Sequence, residues 1–288
     1  MNHSPTQPAD DPGFIRTAGN VRLFYRDWGD GAPFVFLSGW TLNTDMWAYQ
    51  MEPLTRRGFR CIAYDRRAHG RSSDPGCGYD FDTLADDLAS VLDTLDLSGV
   101  TLVAHSFASG ELVRYITRHG AGRVARVVFV APAATPYLSK TADNPNGIDA
   151  EVFDAARAAM ARSFPDWIEA NAAPYFGPGT SRAAIDWTAR IMLQTSLHAA
   201  IELSRIQVST DFRAELAALD VPALIVHGDR DASAPLELTG RPTAKLIAQA
   251  HLKVYEGGGH GLYFTHALQL TKDLIEFANA SSRVADIR

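Results

Sequence analysis

The sequence predicts a doubly wound, mostly parallel α/β sheet with a helical lid inserted into it. Three observations carry that prediction. Continuous apolar runs at residues 33–37, 59–64, 100–105, 124–130 and 223–229 alternate with stretches of helical spacing, as strands covered on both faces do. Between about residue 132 and 213 the strand signal vanishes, and alanine-rich helical pieces alternate with Pro/Gly breaks. Ser106, an aspartate at 229 or 231, and His260 each follow the end of a strand, where open α/β sheets hold their sites. The predicted division is a flexible extension at 1–12, a core domain of 13–132 with 214–288, and a helical cap at 133–213.

The elements follow in order. Residues 21–28 alternate as an early antiparallel strand, turned by Gly29-Asp30-Gly31. The run at 33–37 ends in Ser38-Gly39-Trp40-Thr41, and a helix over about 45–57 follows. The strand at 59–64 closes on Asp65-Arg66-Arg67. Apolar residues recur at helical spacing over 81–97, with Asp86, Asp87 and Asp93 read as the solvated side. Beyond the lid come a strand at 223–229, a helix over about 236–249, a strand at 252–255 and a last helix over about 267–278. There is no internal repeat.

Composition narrows the class of protein. The chain is 46% hydrophobic and 21% charged, with a formal net charge of -6, which argues against nucleic acid or an anionic membrane as partner. No uninterrupted apolar run approaches the ~20 residues of a membrane span. The polar, acidic residues 1–12 lack a signal pattern, so a cytoplasmic protein is expected, with a homo-oligomer left open. Cys61, in an apolar strand, and Cys77, in a loop, read as free thiols, and no zinc-like spacing occurs.

The chemistry centres on Val103-Ala104-His105-Ser106-Phe107-Ala108. A serine set in a sharp turn between a buried strand and a helix needs small residues two before and two after it, here Ala104 and Ala108. The helix behind it offers unpaired N–H groups to a developing negative charge. His260 would take the serine proton, while Asp229 or Asp231 would orient the imidazole. Backbone N–H groups of Phe107 and of Trp40, the latter in the loop after 33–37, are the expected oxyanion donors. Their large side chains are expected to wall the pocket as well.

With these residues in view, the chain resembles the α/β-hydrolase superfamily, and within it the cofactor-free haloperoxidases (perhydrolases) and bacterial arylesterases. The resemblance rests on Ser38-Gly39-Trp40 with Asp45-Met46-Trp47, Tyr64-Asp65-Arg66-Arg67 with Gly70-Arg71-Ser72, and Gly78-Tyr79-Asp80-Phe81. It continues through Asn144-Pro145, Asp211-Phe212-Arg213, His227-Gly228-Asp229-Arg230-Asp231 and His260-Gly261-Leu262. It implies Asp231 as the acid and Asp229 as a turn residue, a pocket at Thr41, Leu138, Ser233, Leu236 and Leu262, and neither cofactor nor metal. The chain departs from the pattern at Ser38 (usually His), Thr41 (often Pro), Ala104 and Ala108 (usually Gly), and Phe107 (usually Met), the last expected to narrow the pocket.

The implied activity is hydrolysis of small carboxylic esters through an acyl-enzyme, with peroxide as an alternative acyl acceptor. A lactonase or lactamase on a cyclic acyl substrate, and a slow-turnover ligand receptor on the same fold, stay open as alternatives. Other notable residues have plainer readings. His105 is expected to point into the protein, His227 to be packed, and His266 to support the His260 loop. His69 lies in a loop near the site, and His198 lies in the lid. Of Trp167, Tyr175, Phe176 and Trp187, one or two should line the pocket. Gly257-Gly258-Gly259 should shape the turn that presents His260.

Overall fold

A computed structural model describes residues 12–133 and 138–280. The expected extension at 1–12 lies outside the described residues except for Pro12, as do the first residues of the cap at 134–137 and the tail at 281–288. The strands are β1 (Phe14–Arg16), β2 (Arg22–Trp28), β3 (Pro33–Leu37), β4 (Arg60–Tyr64), β5 (Val100–His105), β6 (Val124–Val130), β7 (Ala223–Gly228) and β8 (Ala250–Tyr255). They form one eight-stranded sheet in the order β1-β2-β4-β3-β5-β6-β7-β8. β2 runs antiparallel to both β1 and β4, and every pairing from β4 to β8 is parallel.

Eleven helices are described: α1 (Ala48–Thr55), α2 (Phe81–Thr94), α3 (Ala108–His119), α4 (Ala150–Arg162), α5 (Phe164–Phe176), α6 (Arg182–Met192), α7 (Leu197–Ser209), α8 (Arg213–Ala217), α9 (Gly240–Leu246), α10 (Leu262–Thr265) and α11 (Ala267–Ala280). A 3-10 turn at Thr44–Trp47 precedes α1.

The inner strands β3 to β7 are largely apolar because both faces are covered, and their alternation separates two cores. Val35, Leu37, Leu102, Ala104, Val127 and Phe129 face one, with Leu84, Leu88 and Leu112 of α2 and α3. Phe34, Phe36, Val103, Val128 and Val130 face the other, with Met51 and Leu54 of α1 and Leu270 and Leu274 of α11. α4 to α7 lie between β6 and β7 in sequence, and no strand interrupts them.

Two expectations need correction. Asp87 is not on a solvated face: it is buried, and Arg67 donates to it from Nε and Nη2 at 2.7 Å each. Its position explains this, three residues after Leu84 and four before Val91, on the apolar stripe of α2. Asp86 and Asp93 do stand outside, paired with Arg118 and Arg123. The expected helix over 236–249 shortens to α9, because the chain first turns at Pro235. It then passes hard against a buried ring: a Cβ on Gly240 would lie 2.5 Å from His227 Nδ1.

Candidate active site

Ser106 ends β5 in a backbone conformation that side-chain-bearing residues seldom adopt, with φ of 55°. The turn is pinned by Ser106 N–H donating to Val130 O at 2.9 Å and by Ser109 N–H donating to Ser106 O at 3.0 Å. Ala104 and Ala108 are fully buried beside it, where larger side chains would disturb the packing. This is the local strain expected of a serine held out from a strand end.

The loops after β7 and β8 meet through glycine. A Cβ on Gly228 would lie 2.0 Å from Gly258 O, so the two backbones touch as no side-chain-bearing pair could. Asp229, exposed, accepts the Gly257 N–H at 2.7 Å and ties the loops together. The crossing sets Asp231 under His260. His260 Nδ1 lies 2.7 Å from Asp231 Oδ2, and His260 Nε2 lies 2.8 Å from Ser106 Oγ. All three residues are buried. Asp231 Oδ1 also accepts the N–H groups of Ser233 at 2.9 Å and Ala234 at 2.8 Å.

Further contacts around this chain were not evident from the sequence. His227 Nε2 sits 2.8 Å from Ala234 O and 3.2 Å from Asp231 Oδ2. Burial alone would raise the Asp231 carboxyl, but the charge of His260 and the hydrogen bonds from His227 and His260 hold it well below the usual carboxylate range. His105 Nε2 lies 3.0 Å from His260 O, so the residue before the serine steadies the backbone of the histidine. Gly261 N–H donates to Tyr175 O at 2.9 Å, which ties the end of α5 to the same loop. His266 Nε2 lies 3.3 Å from Glu256 O. His69 is buried and does not line the site, and His198 sits edge-on to Tyr79.

Two of these histidines make stability depend on pH. Burial, reinforced by Arg66, pushes His69 down to about 3, and burial, reinforced by His260, pushes His105 down to about 3. Both rings are neutral in the folded chain, whereas an unfolded histidine titrates near ~6.5. Below that pH the unfolded state binds more protons. Stability is therefore complete above about pH 6.5 and is lost as pH falls toward about 3, with a limiting slope of about 1.4 kcal/mol per pH unit for each ring. Urea midpoints measured from about pH 7.5 down to about pH 5 should fall steadily, and less steeply in His105→Gln. Level midpoints would contradict the assignment.

The backbone N–H groups of Trp40 and Phe107 have no protein acceptor among the described residues; Phe107 follows Ser106 directly in the chain, and Trp40 lines the same cavity as Ser106. Their side chains differ in placement. Trp40 Nε1 donates to Ala200 O at 2.8 Å, and its ring stands edge-on to Trp167 with centroids 5.3 Å apart. Phe107 does not wall the pocket or narrow it. Its ring turns into the opposite core, stacked on Phe81 with centroids 4.9 Å apart, because the first turn of α3 faces that side of the sheet.

Ser106, His105, His260 and Trp40 line a cavity of ≈ 340 Å³. Leu138 and Ser233 line it too. Thr41, Leu236 and Leu262, expected in the wall, do not. Thr41 is sealed in its turn, with its hydroxyl on Trp40 O, while Leu236 packs at Gly240 and Leu262 lies in the core beneath α10. α4 and α5 supply Phe153, Met160, Trp167, Ile168, Tyr175 and Phe176 instead, whereas Trp187 of α6 packs on Tyr49 and Phe264. Helical periodicity marked these residues as apolar but could not tell a face turned to a cavity from one turned to a core. Among the described residues there is no cluster of three side chains suited to a metal, and no helix long and apolar enough to cross a membrane.

A serine hydroxyl bonded to an imidazole whose far nitrogen faces a buried carboxylate can give up its proton as it attacks an acyl carbon. The family model described as alpha/beta hydrolase fold matches residues 32–267. The chain is 40% identical over 270 residues to the non-heme chloroperoxidase CPO-A1 of Kitasatospora aureofaciens, across 91% of this chain and 98% of that protein. It is 34% identical over 277 residues to the bifunctional esterase/perhydrolase DCH of Acinetobacter calcoaceticus, across 92% of this chain and 99% of that protein. The solved esterase EaEST of Exiguobacterium antarcticum matches with a TM-score of 0.89 at 28% identity, across 92% of this chain and 98% of that one.

Proposed function

This chain belongs to the α/β-hydrolase family, and from that premise we propose that it hydrolyses small carboxylic esters through an acyl-enzyme on Ser106. The observation that carries the proposal is the hydrogen-bonded chain Ser106–His260–Asp231 at the wall of a largely apolar cavity. Ser106 Oγ attacks the ester carbonyl while its proton passes to His260 Nε2. The tetrahedral oxyanion is received by the Trp40 and Phe107 N–H groups. Asp231 stabilises the imidazolium, which then protonates the departing alcohol. Water, activated by the same imidazole, attacks the acyl-serine and releases the carboxylic acid.

Hydrogen peroxide in place of that water would give the peracid and regenerate Ser106. The similarity to the bifunctional esterase/perhydrolase of Acinetobacter calcoaceticus makes this the second acyl acceptor to assay. In this reading α4 to α7 act as the lid, with α5 joined to the His260 loop through Tyr175 O.

The test is a time course with short-chain p-nitrophenyl and phenyl esters. The expected result is sustained release over many turnovers. A single stoichiometric burst would contradict the hydrolase reading and favour a slow-turnover receptor.

A further inference from the structure

The two expected oxyanion donors sit on segments far apart in the chain, and one buried side chain, Arg66, touches both. Arg66 follows β4 and is 2% exposed. Its Nη2 donates to Ser38 O at 2.7 Å. Its Nε and Nη2 donate to Glu111 Oε2 at 2.9 Å and 2.7 Å. Its Cζ lies 5.0 Å from the centroid of the Phe107 ring. Glu111 is in turn held by the Tyr64 hydroxyl, which donates to its other oxygen.

We propose that Arg66 is a positioning residue for the oxyanion hole, locking the Trp40 loop to the first turn of α3. The inference rests on the ester-hydrolase reading. Phe107, the N-cap of α3, and Glu111 are four residues apart and share one face, so Arg66 grips the start of that helix at two points. On the other side it fixes the Ser38–Gly39 peptide. The next peptide carries the Trp40 N–H, and its carbonyl, Gly39 O, accepts from Leu42 N–H at 3.1 Å. Gly39 lies between two restrained peptides with His105 against it: a Cβ there would be 2.3 Å from His105 Nδ1.

Released from Arg66, a glycine hinge could swing the donor off the oxyanion. Glu111 offsets the guanidinium charge, so Arg66 acts through geometry. Only the planar fork can serve Ser38 O and Glu111 while lying over a ring, which a lysine ammonium cannot reproduce. The burial of the pair has a cost, since Arg66 Nη1 finds no partner among the described residues.

The experiment compares wild type with Arg66→Lys and with the double variant Arg66→Met/Glu111→Gln, which leaves no unpaired charge behind. Ester kinetics are read beside inhibition by an aryl boronic acid, whose tetrahedral serine adduct mimics the charged intermediate. The expected result in both folded variants is a kcat lower by about 10- to 100-fold with KM nearly unchanged. The boronate inhibition constant should rise by a similar factor. Wild-type kcat in either folded variant would overturn the proposal, as would a loss carried wholly by KM. Wild-type turnover in Ser106→Ala would overturn the hydrolase reading itself, and that failure is read in a separate protein.

Discussion

Alanine at position 106 is expected to lower kcat/KM for p-nitrophenyl esters by about 10⁴-fold or more, with no loss of folding. The size of the effect follows from the chemistry: without Oγ no acyl-enzyme forms, and only the oxyanion donors and the cavity remain to assist direct attack by water. Folding survives because the hydroxyl bonds only His260, while the turn is held by backbone bonds to Val130 and Ser109 that alanine keeps. Alanine is already tolerated at positive φ in this chain, at Ala68 and Ala131. The checks are steady-state kinetics and thermal melts of the two proteins side by side. Residual activity above about one percent of wild type would mean that Ser106 is not the nucleophile.

The second large effect separates the two aspartates. Asp231→Asn should lower kcat by about 10⁴-fold. A carboxylate accepts the His260 Nδ1–H and leaves Nε2 free to take the serine proton. An amide nitrogen turned toward Nδ1 would force the proton onto Nε2, the wrong tautomer for a base. Asp229→Asn is the control and should stay within a few-fold of wild type, because its partner is the Gly257 N–H and the amide oxygen can still accept it. Should the control prove the more damaging change, the acid has been assigned to the wrong carboxylate.

Much of the framework was legible in the residues. β3 to β7 announced themselves because a strand buried on both faces must be apolar at nearly every position. The short β1 did not, since Phe14–Arg16 is too brief for a period to show. The strained turn could be read because it demands small residues at 104 and 108, whereas the glycines at 257–259 read only as a turn before His260, and their contact with Gly228 emerged from the fold. Asp87 was misread although its spacing from Leu84 and Val91 placed it on the buried stripe. Charge suggested solvent, and a distant arginine decided otherwise.

By itself, then, the sequence determined the mostly parallel sheet, the alternation of strands and helices along the chain, and the strand ends that carry Ser106, the aspartates 229 and 231, and His260. These follow from periodicity, turn chemistry and local sterics, which act over a few residues. The tertiary structure alone decided that Phe107 faces away from the cavity, that Leu138 and Ser233 line it while Thr41, Leu236 and Leu262 do not, and that Arg66 spans Ser38 and Glu111. Each depends on which element packs against which across tens or hundreds of residues. An apolar side chain reads the same in sequence whether it fills a core or faces a cavity, and a buried ion pair is settled only when the fold brings its partners together.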